Sequence, residues 1–409
     1  MIENAPSKKP VIVIALVMAV CLLGNEMLFI VLPLYWKFFG LTALWQVGVL
    51  LSVNRFIRIV INSLIAWCYQ KMSTRTGIML AVIFAVSSTF SYGYLKGVWL
   101  LLIARCMWGV AWSLFRLGGY LTIISHSTKK TRGEYVGLFN GLWGLGTLVG
   151  MLLGGILVEQ LGVRVVTTLF ALIGACSIPF VFKFIPNTKN EDESSIDKKE
   201  KAPGIWKNER ILLSLATGLI VSFVVYGVFS STLSQLIGIQ IKENLLVFGL
   251  ALGAASLAGV FQAIRTGWEP FLSPLLGKWS DQKWGRSRVL IFSLLLAGLC
   301  FFVLPLHLST FLFVLFIFLF QLTTTLLVTM SDSNAADLAS GKSQVRIISY
   351  YTLFADVGAA FGALIAFVMI DFLGIHWLYW ITGLLLLALA FLWIRAYKKE
   401  DSHTEVGYT

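Results

Sequence analysis

"NTKNEDESSIDKKEKAPGIWKNER", residues 187–210, is polar and charged with no apolar period, in a chain of 409 residues that is otherwise 58% hydrophobic and only 13% charged. What flanks it decides the fold. Apolar runs near the length that crosses a bilayer, about 20 residues, fall at 11–34, 44–68, 77–95, 98–122, 135–158 and 164–186 before it. After it they recur at 211–236, 246–275, 289–306, 308–330, 347–370 and 376–397. The expectation is an all-α membrane protein of twelve transmembrane helices in two pseudo-symmetric six-helix bundles, 1–186 and 211–398, joined by the cytoplasmic linker 187–210 and followed by a tail, 399–409.

Soluble domains hold roughly 45–50% apolar residues, and outer-membrane strands alternate in segments of about ten. The continuous runs here fit neither. No small-residue cleavage site follows the first run, and "NEMLFIVLPLYW" (25–36) continues it, so helix one is expected to remain in the membrane.

The net charge of +12 is distributed by topology. Lys71, Arg75, Lys129, Lys130, Arg132, Lys278, Lys283, Arg286, Arg288, Lys342 and Arg395 fall on one side of the twelve-helix arrangement, and Lys37, Lys96, Arg164 and Lys242 on the other. The positive-inside rule then puts both termini in the cytoplasm, in a bacterial cytoplasmic membrane, and nucleic acid is not needed to explain the charge. Cys21, Cys68, Cys106, Cys176 and Cys300 lie in or beside apolar runs without close spacing, and the four histidines are scattered. Neither disulfides, a metal nor a cofactor is expected.

A shift of 212 positions carries Lys71 onto Lys283 and Gly146 and Gly150 onto Gly358 and Gly362, each glycine pair following a cytoplasmic loop. The halves read as degenerate copies. Parallel six-helix repeats point to a secondary transporter, with its site near the midplane.

An ionisable side chain at the bilayer centre costs at least about 2.5–3.5 kcal/mol, so each one needs a role. Arg55, Arg58 and Asn62 share a face of helix two; Arg105, Gly109, Trp112 and Arg116 share one of helix four; Gln262, Arg265 and Glu269 share one of helix eight. The acids are Glu26, beside Asn25 on helix one, Glu269, and Asp356 on helix eleven. Burial opposes carboxyl ionisation and a nearby cation favours it, so an acid among arginines can change protonation as a cavity opens. Glu26 is the first candidate for proton coupling, with Asp356 and Glu269 after it. Fixed neutralising bridges are the plainer reading, above all for Glu269, four residues after Arg265. The surplus of guanidinium favours an anionic or zwitterionic cargo, with Asn25, Arg55, Arg58, Trp112, Arg116, Tyr226, Gln262 and Arg265 as candidate contacts.

The strip "GKWSDQKWGRSR" (277–288) packs charge between two apolar runs. Gly277 permits close helix contact, Gly285 permits a tight turn, and Asp281 can face a helix end or the guanidinium of Arg286 or Arg288. Such a cluster can latch the halves in one conformation. On that reading Asp281→Asn slows turnover more than it weakens cargo binding.

The strip resembles the G-x-x-x-D-x-x-G-R-x-R loop of the major facilitator superfamily, with one extra residue between Asp281 and Gly285. At the first-half copy, "IAWCYQKMSTRTG" (65–77), Tyr69 stands where the acid is expected. "LLIARCMWGVAW" (101–112) is similar to the R-x-x-x-G pattern of helix four, which implies a conformational role for Arg105 and Gly109. "GTLVGMLLGG" (146–155) resembles the helix-five antiporter motif, through Gly146, Gly150 and Gly154, with Met151 at a common proline position. "SVNRFIRIVIN" (52–62) and "ADVGAAFG" (355–362) look like bacterial drug:proton antiporters. The resemblance covers essentially the whole chain. It implies the major facilitator fold and a monomeric, proton-coupled exporter of a small organic compound by alternating access; import of an organic anion by proton symport stands as the alternative. An intramembrane enzyme would need a nucleophile with its base or a metal cluster, and no G-x-x-x-x-G-K-[ST] phosphate loop is present for an ATP-driven pump.

Overall fold

A computed structural model of the chain describes residues 8–128, 131–185, 187, 208–241, 245–247, 250–338 and 344–406. All but a few residues of the proposed linker 187–210 lie outside them. Among the described residues the chain forms twelve helices and one small β-ribbon. The first six are α1 (Lys9–Leu34), α2 (Leu44–Lys71), α3 (Thr74–Tyr94), α4 (Val98–His126), α5 (Arg132–Leu161) and α6 (Val163–Phe184). Then come α7 (Glu209–Gln240), the strands β1 (Leu245–Val247) and β2 (Leu250–Leu252), α8 (Ala254–Trp279), α9 (Arg286–Val303), α10 (Thr310–Leu338), α11 (Gln344–Leu373) and α12 (Ile375–Val406).

Local chemistry sets many of the ends. Pro10 opens α1, where its missing amide hydrogen costs nothing. The Ser73 hydroxyl caps α3 by accepting from the Thr76 amide at 3.2 Å, and Asn208 caps α7 by accepting from the Arg210 amide at 3.0 Å. α6 is interrupted at Cys176 and Ser177, just before Pro179, and the Ser177 hydroxyl returns to the Gly174 carbonyl at 2.6 Å. The strip 277–288 is a short π-helical turn, Ser280–Trp284, closed by Gly285 at φ 79°. That conformation favours glycine, so the tight turn is found where expected.

Eleven of the helices are long and apolar enough to cross a membrane. α8 falls outside that group because Gln262, Arg265, Glu269 and two internal prolines, Pro270 and Pro274, dilute it. Trp99, Phe311 and Phe372 are 76%, 76% and 78% exposed. Large apolar groups so open to the surroundings suit lipid, not water, as the solvent.

By its contacts the chain divides into Met1–Lys198 with Glu243–Thr266, and Lys199–Lys242 with Gly267–Thr409. The boundary falls inside α8. In the first unit α1 is the sheathed helix, buried almost continuously from Pro10 to Pro33, and α5 lies along it. A Cβ at Gly146 would sit 2.5 Å from Ala19 Cα, and one at Gly150 would sit 3.0 Å from Leu23 Cα. In the second unit Gly358 meets the Leu219 backbone and Gly362 the Phe223 carbonyl, so α11 lies on α7 in the same way. The glycine pairs superposed by the internal repeat thus do the same work in each unit. Phe223–Phe229 within α7 is π-helical and carries Tyr226; such segments are frequent at functional sites.

Two expectations change. The run 246–275 is not one helix: Leu245–Val247 and Leu250–Leu252 pair as an antiparallel ribbon, with Leu246 opposite Ala251, and helix begins at Ala254. A short apolar run bounded by glycine does not distinguish strand from helix by period. No close helix contact is found at Gly277 either, since a Cβ there would meet nothing within 4 Å among the described residues.

Candidate functional site

The first unit gathers buried polar groups from α1, α2 and α4. Arg105 is 1% exposed; its Nε donates to the Leu50 carbonyl of α2 at 2.7 Å, and its Nη1 donates to Asn25 Oδ1 of α1 at 2.6 Å. Asn25 Nδ2 donates in turn to Glu26 Oε1 at 2.9 Å. The result is a relay from guanidinium through amide to carboxylate, with all three side chains buried. Arg55, Arg105 and Arg58 are all within electrostatic reach of the Glu26 carboxylate. Burying an ion is tolerable only with such partners.

The surrounding packing holds the relay in place. The Arg58 guanidinium lies 5.4 Å from the Trp112 ring, which meets Trp143 edge-on at 5.4 Å. Gly109 brings α4 against α2, where a Cβ would lie 2.8 Å from the Asn54 carbonyl. Gly150 faces the Glu26 Cβ and Gly154 the Met27 Cβ, so the glycine face of α5 is the bed on which the acid-bearing stretch of α1 lies. Arg105 Nη2 and Asn54 Oδ1 are buried without a hydrogen-bond partner among the described residues. Unsatisfied polar atoms of this kind are what a cargo or water can satisfy. Of the candidates on these helices, Asn25, Glu26, Arg55, Arg58, Arg105 and Trp112 come together; Arg116 is exposed, with its guanidinium 5.7 Å from the Tyr120 ring.

On α8, Gln262 and Arg265 are buried, and Arg265 Nε donates to Gln262 Oε1 at 3.3 Å, leaving Gln262 Nε2 without a described partner. Glu269 lies beyond the unit boundary. There it comes within electrostatic reach of Asp332 on α10, whose Oδ1 accepts from the Tyr351 hydroxyl at 2.7 Å; that hydroxyl also meets Ser331 at 2.7 Å and lies near Tyr226. Asp356 is half-buried on α11. Sequence reasoning missed Asp332, because the apolar run ends at 330 while the helix continues to Leu338.

In the strip after α8, the described partners of the arginines belong to the second unit. Arg286 Nη1 meets Asp337 Oδ2 at 2.5 Å, and Arg288 Nε donates to the Tyr397 hydroxyl at 2.9 Å. The side chain of Asp281 lies outside the described residues. Tyr69, at the position where an acid was expected, is 3% exposed and donates to the Leu114 carbonyl at 2.8 Å. Gly77 and Gly118 leave the room for its ring. A neutral anchor between α2 and α4 stands there in place of a charge.

The family model described as Major Facilitator Superfamily matches residues 14–268 and 270–407. The chain belongs to the major facilitator superfamily. It is a multi-pass membrane transporter of that family. Among its relatives, the MFS-type transporter YuxJ of Bacillus subtilis is 25% identical over 358 residues, 83% of this chain and 84% of that one. The multidrug resistance protein MdtG of Proteus mirabilis is 24% identical over 69% of this chain and 68% of its own. The fold is that of a POT family transporter crystallised with 5-aminolevulinic acid (TM-score 0.77, 12% identity, covering 98% and 97% of the two chains). It is equally that of a bacterial homologue of the lysosomal transporter Spinster (TM-score 0.74, 14% identity, 95% and 96%).

The glycine bed makes a testable demand. Gly146→Val puts a branched side chain onto the Ala19 backbone, which cannot rotate away, and overpacking of this kind costs about 1–3 kcal/mol. Gly137→Ala, on the same helix with nothing within 4 Å of the new Cβ, is expected to be neutral or to stabilise slightly. Thermal unfolding of the two variants in detergent checks the contrast; equal midpoints would mean that α5 does not rest on α1 through Gly146.

Proposed function

We propose that this transporter is a proton-coupled exporter, an antiporter, of a small organic zwitterion; import of an organic anion by proton symport is the alternative. The transporter works as a monomer by alternating access of its two six-helix bundles, with both termini in the cytoplasm. The observation that carries this reading is the buried Arg105–Asn25–Glu26 relay beside Arg55 and Arg58. It supplies one exchangeable proton in a field of fixed positive charge.

Glu26 is the proton carrier in this scheme. Arg55, Arg58 and Arg265 offer paired donors for a carboxylate or phosphate of the cargo, and Trp112 offers a ring face. Arg105 holds Asn25, and through it the carboxylate, in register. Glu269 with Asp332, and Asp356, are the second-unit groups available for a further proton.

Cargo charge sets the sign of coupling. The ammonium of a zwitterion competes with a proton for Glu26 while its carboxylate takes an arginine, and competition of that kind gives antiport. A plain anion binds best when Glu26 is protonated and the arginines are released from it, so anion and proton travel together. The arginine surplus thus keeps a symport reading open for anions. The name of MdtG, a multidrug resistance protein, favours export.

Comparing metabolites in cells and medium, with the gene deleted and overexpressed, tests the direction. A zwitterionic compound is expected to build up inside the deletion strain and to fade from its medium. A compound left unconsumed in the medium by the deletion strain would instead establish import.

A further inference from the structure

Glu159 lies in the last turn of α5, away from the polar relay. Its carboxylate accepts from three donors at the start of α8: the Gly253 amide to Oε2 and the Ala255 amide to Oε1, both at 2.8 Å, and the Ser256 hydroxyl. Ala255 and Ser256 are fully buried. The first amides of a helix lack partners within it, and they carry partial positive charge. A carboxylate spanning two of them does the work of a capping side chain, yet it is supplied by a different helix 94 residues earlier.

The contact is reinforced beneath the cap. A Cβ at Gly259 would lie 2.5 Å from the Met151 carbonyl, and one at Gly155 would meet the Ala255 carbonyl, so α5 and α8 touch backbone to backbone for more than a turn. The ionisable group that faces Glu159 is Tyr35, in the segment after α1, where burial and then the Glu159 charge push the phenol above its ordinary value.

α8 runs unbroken from Ala254 to Trp279, but its contacts divide between Thr266 and Gly267. The opening turns are fastened to the first unit and the rest belongs to the second. If the units rearrange during transport, α8 must either bend, for which Pro270 and Pro274 provide missing backbone hydrogen bonds, or come unfastened at its start.

We propose that Glu159 is a releasable fastening that holds the start of α8 on α5 in one transport conformation and lets go in the other. Glu159 is a positioning residue, and the inference rests on the alternating-access reading above.

The test uses the full-length protein in nanodiscs, with Ser256→Cys as a reporter that leaves both amide donors in place and exchanges the hydroxyl for a weaker thiol donor, modified by a water-soluble maleimide and followed site by site with mass spectrometry. In the otherwise unaltered protein, labelling at 256 is expected to be slow. Glu159→Gln keeps one acceptor and loses the charge, and labelling is expected to rise on the order of tenfold, the scale of a lost helix cap. Glu159→Asp, which keeps the charge with a shorter reach, is expected to fall between, and it carries the test if the glutamine variant does not fold. Equal labelling rates across the three would overturn the proposal. So would faster labelling with no change in export of the cargo found by the metabolite comparison, since the cap would then be structural only. If no compound responds to the gene at all, the transport reading fails, while the labelling result still reports whether the cap opens.

Discussion

Glu26→Gln is expected to abolish accumulation driven by a pH gradient while leaving the protein folded. One proton moved down one pH unit supplies about 1.4 kcal/mol, which sustains a tenfold concentration ratio of cargo. A glutamine amide carries no exchangeable charge, so the ratio reached by the variant falls to about one. The folding cost is small because glutamine is nearly isosteric and can still accept from Asn25 Nδ2, as Glu26 Oε1 does at 2.9 Å. Counterflow of cargo without a gradient is expected to persist, with weaker binding for a zwitterion that has lost its anionic partner. Accumulation that still follows the gradient in the variant would move the proton site to Asp356 or to Glu269 with Asp332.

Arg105→Met is expected to be the most destabilising change in the first unit. The thioether matches the length of the side chain but leaves the Asn25 carbonyl without its donor and removes one cation from reach of Glu26. Breaking one side of a buried charged network costs about 3–5 kcal/mol, against a net stability of the order of 5–15 kcal/mol for a domain. Thermal unfolding in detergent checks this. The double variant with Glu26→Gln is expected to lose less than the sum of the two, because the carboxylate that needed the cation is gone; groups within one network couple by 0.5–3 kcal/mol. Strict additivity would mean that Arg105 and Glu26 do not act through Asn25.

Much of the architecture was legible because composition alone sets it. A spanning helix needs only length and apolarity, and both are read directly. The spacing of Gly146, Gly150 and Gly154 already put three small residues on one face of α5, and that face is the one that bears on α1. Helix ends were less legible, for a specific reason. An apolar run stops at the first charges, whereas backbone hydrogen bonding does not, so Glu159 and Asp332 each fell just past an expected boundary and escaped notice. Both are among the most connected acids in the structure. The ribbon before α8 was illegible because its apolar residues suit strand and helix alike.

The site itself was half legible. That Glu26, Arg55, Arg58 and Arg105 each need partners follows from the cost of charge in a membrane. That Asn25 is the link between Arg105 and Glu26 depends on how α1 meets α4, and no spacing along the chain reports a register between two helices. Tyr69 illustrates the same limit, since a tyrosine in the place of an acid gives no hint that it reaches the Leu114 carbonyl.

The central claim is that cargo movement is tied to protons through the buried carboxylate of the first unit. The most direct measurement reconstitutes the protein in liposomes loaded with the compound found by the metabolite comparison, imposes a gradient of one pH unit in each direction, and follows cargo and internal pH together. The account predicts that cargo moves against the proton flow, that reversing the gradient reverses the cargo, and that Glu26→Gln uncouples the two. Cargo flux that is identical in both directions of the gradient, with no accompanying change in internal pH, would contradict it.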